Sequence, residues 1–127
     1  MGMCHFYSLF RLVNRDTMRT IAQLKTGNQM KTEGALQRYM KNQCSEFGIL
    51  FHKVESRSAR GFPDVFLAYD GRIVLVELKN PTGCGRLSKL QERCIGQLRS
   101  QGVIVLVVAS KAEADAAVDL ALLGLPC

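Results

Sequence analysis

The chain has 127 residues, a length that fits one domain with a core large enough to fold alone. Apolar residues make up 47% of it, yet its longest apolar run, Val103–Ala109, falls far short of the roughly 20 residues that a membrane helix needs. Seventeen Lys and Arg stand against eleven Asp and Glu, a net charge of +6, which points to an anionic partner, most often nucleic acid.

The basic surplus gathers before Lys31 and again in Lys53–Arg60. The opening MGMCHFYSLFRLVNR has no unbroken apolar centre followed by a small-residue cleavage site, so it does not read as a secretion signal. Phe6 stands where a myristoylation motif takes Ser or Thr. The expected setting is therefore the cytoplasm, away from a membrane. The five cysteines (Cys4, Cys44, Cys84, Cys94, Cys127) are odd in number, scattered, and free of any C-x-x-C pair. That pattern argues for reduced thiols and against a disulfide framework or a structural zinc.

In chain order, residues 1–28 read as a basic N-terminal arm or helical extension, with a short amphipathic helix over Phe6–Leu24. Thr26-Gly27-Asn28 breaks that pattern. The spacing of Ala35, Leu36, Tyr39, Met40 and Phe47 predicts a helix from about Met30 to Phe47, capped by Thr32 or Asn28 and closed at Gly48. Ile49–Glu55 reads as a strand, and Ser56–Gly61 as a polar, basic loop. Val65–Tyr69 and Arg72–Leu78 pair as a hairpin through Asp70-Gly71, a strong short-range hairpin signal. Asn80-Pro81-Thr82-Gly83 stops the second strand.

Ser88 caps a predicted helix over Lys89–Ser100 with Leu90, Cys94, Ile95 and Leu98 on one face, and Gly102 ends it. Val103–Ala109 reads as a strand buried on both faces. Ser110 caps a last helix, Lys111–Leu123, with Ala112, Ala116, Leu120 and Leu123 turned inward. The strand-helix-strand passage demands a parallel neighbour and the hairpin an antiparallel one, so the sheet is mixed. The fold class is α/β, a four-stranded mixed sheet flanked by helices in the order α-β-β-β-α-β-α.

The hairpin carries an anomaly. In GFPDVFLAYDGRIVLVELKN, Gly61–Asn80, an otherwise apolar pair of strands holds Asp64, Glu77 and Lys79. Glu77 and Lys79 are two apart and share a face, with Leu78 opposite. If 69 pairs with 72, then 64 pairs with 77, and their Cβ atoms lie about 5 Å apart. Carboxylates that close repel unless a cation or a proton sits between them. Paired oxygen ligands suit a hard divalent ion such as Mg²⁺ or Mn²⁺, and a neighbouring lysine suits a water or a phosphate oxygen. Metal-assisted phosphodiester hydrolysis uses these parts. The plainer reading is a salt bridge at the end of an exposed hairpin. Against it stand the rigid Gly61-Phe62-Pro63 entry to Asp64, Glu33 with Gln37 one turn later on the preceding helix, and Gln91 on the following one among Arg86, Lys89 and Arg93.

Taken together, Glu33, Gly61-Phe62-Pro63-Asp64, Glu77-Leu78-Lys79 and Gln91 resemble the PD-(D/E)XK nuclease superfamily, and more narrowly its virus-type replication-repair nuclease domain, VRR-NUC. The resemblance spans residues 30–110 and sets the nuclease domain at 29–127. It implies that Asp64, Glu77 and the Leu78 carbonyl hold Mg²⁺, for which Mn²⁺ substitutes, with Glu33 completing the shell. It implies that Lys79 orients or activates the attacking water and that Gln91 supports Lys79 or the scissile phosphate. Stand-alone members of this size resemble homodimeric enzymes that cut Holliday junctions or other branched DNA. Two-fold symmetry in a junction matches two-fold symmetry in a dimer. The apolar tail Leu120–Leu125 is a candidate dimer surface.

Other patterns carry less. Gly83-Cys84-Gly85-Arg86-Leu87-Ser88 brushes against the dinucleotide fingerprint, but Ser88 replaces the third glycine and no acid follows where the ribose needs one, so no nucleotide cofactor is expected. His52 reads as a structural, partly buried histidine, His5 has no assignable role, and Cys84 and Cys94 lack a histidine partner for nucleophilic chemistry. Arg57, Arg60, Arg86 and Lys89 are the candidate contacts to DNA phosphates. A non-catalytic DNA-binding module with the same fold is the rival reading, and the intact Asp64, Glu77 and Lys79 weigh against it. A small-molecule α/β enzyme lacks both a phosphate loop and a nucleophile.

Overall fold

A computed structural model describes residues 30–124 except 56, 59, 84 and 85. The expected arm at 1–28, the helix predicted over Phe6–Leu24, the alternative cap Asn28, His5, Cys4, Cys84, Cys127 and Leu125 lie outside the described residues. Seven elements follow in order: α1 (Glu33–Glu46), β1 (Leu50–Lys53), β2 (Val65–Tyr69), β3 (Arg72–Leu78), α2 (Lys89–Ser100), β4 (Ile104–Val108) and α3 (Lys111–Leu123). The strands form one sheet in the order β1-β2-β3-β4, antiparallel in the first two pairings and parallel in the last. The expected mixed four-stranded α/β architecture is the one observed.

Each helix starts where a side-chain oxygen meets an orphan N–H. Thr32 Oγ1 accepts from Ala35 N at 3.1 Å, Ser88 Oγ from Gln91 N at 3.2 Å, and Ser110 Oγ from Glu113 N at 3.1 Å. Past the end of α1, Gly48 takes a left-handed φ of 68°, which glycine adopts without steric cost. At the far end of α3 the capping cation comes from the sheet: Arg72 donates through Nε to the Ala121 carbonyl and through Nη2 to that of Leu122. A positive charge is favourable at that helix pole.

Two cores lie on opposite sides of the sheet. On one, α1 and α3 bury Leu36, Met40, Cys44, Ala114, Ala117, Val118, Ala121 and Leu122 against Val65, Leu67, Val74, Val76 and Leu78. On the other, α2 lays Ile95 and Leu98 over Phe66, Leu75, Val105 and Val107. Alternation along β2 and β3 therefore sends 64, 66, 75 and 77 to the α2 side.

Three sequence expectations are corrected. The inward face of α3 is the stripe 114, 117, 118, 121 and 122, whereas Ala112, Ala116 and Leu123 are exposed. Alanine and leucine run round the whole helix, so two stripes have helical spacing, and close approach to the sheet selects the one rich in small residues. Leu90 is likewise 53% exposed, because Gln91, Ile95 and Leu98 form the sheet-facing row and Leu90 lies beside it. β4 is only partly buried, with Val105 and Val108 inside and Ile104, Leu106 and Val107 intermediate. It is an edge strand, and an apolar run alone does not separate an edge from a centre. Arg99 folds back on it, donating through Nε and Nη2 to the Val105 carbonyl, which occupies a polar group of the edge.

Adjacent leucines at the end of α3 test the corrected face. Leu122→Ala removes a side chain that is 1% exposed and Leu123→Ala one that is 47% exposed. Denaturant unfolding should show a loss of about 2–5 kcal/mol for the first and within about 0.5 kcal/mol of wild type for the second.

Candidate active site

The hairpin turn fixes the geometry of the site. Asp70 and Gly71 have φ of 50° and 77°, the left-handed pair that a tight two-residue hairpin requires. Tyr69 faces Arg72 and Val65 faces Val76, the register expected from the sequence. One step further along both strands, Asp64 Oδ2 accepts a 3.2 Å hydrogen bond from the backbone N–H of Leu78. The Asp64 carbonyl accepts from Val54 N at 2.6 Å, which ties the same residue to β1. Asp64 is thus held from both sides, its carboxylate beside the end of β3.

Glu77 is 1% exposed and is the one charged residue in the buried set among the described residues. Its carboxylate is asymmetric. Oε1 accepts from Gln91 Nε2 and lies 3.4 Å from Lys79 Nζ. Oε2 is buried with no hydrogen-bond partner. The Glu77 pKa is raised from 4.5 to about 7: burial is the largest cause, the negative charge of Asp64 acts in the same direction, and the ammonium of Lys79 partly offsets both. A buried carboxylate with one oxygen unanswered is unfavourable in a protein that has nothing else to offer it.

Gln91 joins the pieces. Its Oε1 accepts from Lys79 Nζ at 2.8 Å and from Ser88 N at 2.9 Å, while its Nε2 donates to Glu77. The first turn of α2 is seated by the loop ahead of Asp64. A Cβ on Gly61 would come within 2.7 Å of the Leu90 carbonyl oxygen and 3.0 Å of Gln91 N, and Gly61 has a φ of 87°. Only glycine fits there. The entry to Asp64 and the helix carrying Gln91 are in direct contact through it.

The structure therefore gathers Asp64, Glu77, Lys79 and Gln91, with Leu78 bound to Asp64 through its N–H. Glu33 is exposed in the first turn of α1. Among the described residues no three His, Cys, Asp or Glu side chains converge as a metal-binding set, so Glu33 does not form one with Asp64 and Glu77. It is nevertheless at the same end of the sheet, because Thr82 Oγ1, just beyond β3, donates to the Lys31 carbonyl at 3.1 Å. Arg57, Arg60, Arg86 and Lys89 are all exposed, on the loop before Gly61 and around the start of α2. His52 is exposed on β1, which corrects its expected partial burial; β1 is an edge strand and its α2-side face is uncovered there. The linking roles of Ser88 and Gly61 were not read from the sequence. The S-x-x-Q spacing of Ser88 and Gln91, a capping-box signature, was the available signal.

The Asp64 and Glu77 carboxylates, the latter with its buried Oε2 unanswered, and the backbone carbonyl of Leu78 between Glu77 and Lys79 form a donor set of the hard, all-oxygen kind that Mg²⁺ takes, with water completing the shell. The residues present fit such an ion.

Comparison with known proteins identifies the family. The VRR-NUC domain family model matches residues 13–112, a stretch that begins inside the segment set apart by sequence as an N-terminal arm. A solved structure titled "VRR_NUC domain" is similar at 28% identity and a TM-score of 0.62, covering 68% of this chain and 94% of that one. No curated protein matches the chain. Among the described residues no helix is long and apolar enough to cross a membrane.

The raised Glu77 pKa has a signed consequence for stability. Between pH 4.5 and 7 the folded carboxyl keeps a proton that the unfolded chain has lost, so stability falls as pH rises through this window. In metal-free buffer, Glu77→Gln should remove that slope and be more stable than wild type at pH 8. The wild-type-minus-variant difference should change by up to about 3 kcal/mol across the window, measured by urea unfolding in EDTA.

Proposed function

The chain belongs to the VRR-NUC domain family, and from that premise we propose that it is a Mg²⁺-dependent endonuclease that hydrolyses phosphodiester bonds in branched DNA. The observation that carries the reading is the buried Glu77 carboxylate, one oxygen engaged by Gln91 and Lys79 and the other unanswered, beside Asp64. Asp64, Glu77 and the Leu78 carbonyl would hold the ion, with Glu33 reaching it directly or through water. A divalent cation held there supplies the charge that acidifies water and offsets the negative phosphate.

The protein's own groups do the rest. Water attacks phosphorus, one P–O ester bond breaks, and the leaving oxygen takes up a proton. Of the three N–H groups of the Lys79 ammonium, one is bonded to Gln91 and one faces Glu77. The third is left for the attacking water or a phosphate oxygen. Gln91 keeps that ammonium from swinging away. Exposed Arg57, Arg60, Arg86 and Lys89 engage the DNA backbone on either side of the scissile phosphate. Two cuts across a four-way junction call for two sites related by a dyad, and a homodimer supplies them.

A cleavage assay on four-way junction, flap and linear duplex DNA, with Mg²⁺, Mn²⁺ or EDTA, tests the reading. The expected result is cleavage with either metal, none in EDTA, and preference for a branched substrate. Asp64→Ala should lose cleavage while its fold, by circular dichroism, is unchanged; a variant that still cut junctions at the wild-type rate would remove the assignment. DNA affinity should fall steeply as salt is raised, and a flat response would argue against a nucleic-acid substrate.

A further inference from the structure

Ser88 is half of the α2 capping box, yet its bonds reach beyond the helix. We propose that Ser88 is a positioning residue for the hydrolysis, setting Lys79 through Gln91; this rests on the nuclease reading above. Ser88 Oγ accepts from the backbone N–H of Gln91 at 3.2 Å, and Ser88 N donates to Gln91 Oε1 at 2.9 Å. One residue therefore holds Gln91 at both its backbone and its amide.

The amide orientation has only one chemically sound solution. Gln91 Oε1 faces two groups that can only donate, the Lys79 ammonium and the Ser88 backbone N–H, and both of its lone pairs are used. Gln91 Nε2 faces Glu77 Oε1. A flipped amide would set its NH₂ against two donors and its oxygen against a carboxylate. The Ser88 N–H is the contact that belongs neither to substrate nor to the charged pair, so it locks the amide independently of what binds at the site. Gly61, packed on Leu90 and Gln91, keeps the same turn seated against the entry to Asp64. With α2 fixed in this way, the Lys79 ammonium is held at one distance from Glu77 rather than sampling the solvent.

Ser110 provides an internal control. Its Oγ caps α3 through Glu113 N at 3.1 Å, the same kind of bond as at Ser88, and also donates to Glu113 Oε1 at 3.2 Å, so its side-chain hydrogen bonds stay within the first turn of α3. Ser88→Ala and Ser110→Ala therefore remove equivalent caps. Ser88 has a φ of −69°, which proline accepts, so Ser88→Pro removes the N–H as well.

Steady-state cleavage of the preferred DNA should show kcat reduced about threefold in Ser88→Ala, which loses the Oγ contact but keeps the N–H on the Gln91 amide, and roughly tenfold to a hundredfold in Ser88→Pro, which loses both. The loss should be restored in Ser88→Thr and absent in Ser110→Ala, with KM unchanged throughout. In parallel, NMR of the Gln91 side-chain amide and the Lys79 ε-carbon should show both signals moving in Ser88→Ala and neither in Ser110→Ala. Wild-type kcat in Ser88→Ala, or an equal loss in Ser110→Ala, would overturn the proposal. Should the wild type cut no DNA at all, the nuclease reading fails by itself. In that event unmoved NMR signals would sink the Ser88 link, and moved ones would leave it standing as the contact that orders Lys79.

Discussion

Asp70 and Gly71 both hold left-handed backbone angles, and that pair commits β2 and β3 to a single register. Side chains alternate with period two, so a slip of one residue would send Glu77 and Lys79 to the α1–α3 core and Leu78 to the α2 side. It would also separate Asp64 from the Leu78 N–H that it binds. Everything else at the site follows from that phase. Val65, Leu67, Val74 and Val76 pack under α1 and α3, and their burial makes the register costly to change.

The α2 side of the sheet does the opposite of what cores normally do, because it ends in a buried carboxylate. Glu77 sits next to Leu75, Val105 and Val107 in the alternation, where an ionised group is unfavourable. Partial compensation comes from Gln91 and Lys79, and it is incomplete by one oxygen. A cation would complete it. The apolar surroundings and the acidic pair thus act together: the first fixes where the charges point, and the second creates the demand for positive charge.

The framework of the site is a closed set of contacts between segments distant in sequence. Gly61 touches the first turn of α2, Ser88 holds Gln91, Gln91 holds Lys79 and Glu77, and Thr82 ties the end of β3 to the segment before α1. Loops that carry such residues are normally the mobile parts of a protein. Here they are pinned to one another by side chains that bond to backbone groups and to each other, so single substitutions at 61, 82, 88 or 91 would loosen the frame.

Much of this was legible in the sequence for local reasons. Helix caps, the hairpin turn and period-two alternation are set by near neighbours, so Thr32, Ser88, Ser110, Asp70-Gly71 and the shared face of Glu77 and Lys79 could be read without a fold. The resemblance to the family assigned roles to Glu33, Asp64 and Gln91, which the hairpin register and the flanking helices had already singled out. What only the tertiary structure decided depends on segments far apart in the chain. The inward face of α3 was chosen by close packing of small residues on the sheet, and the partial exposure of β4 by its place at the edge. The need for glycine at 61 and the link from Ser88 through Gln91 to Lys79 were set by how α2 docks on the sheet. Sequence periodicity records which residues avoid water, and only the packed chain records what they meet instead.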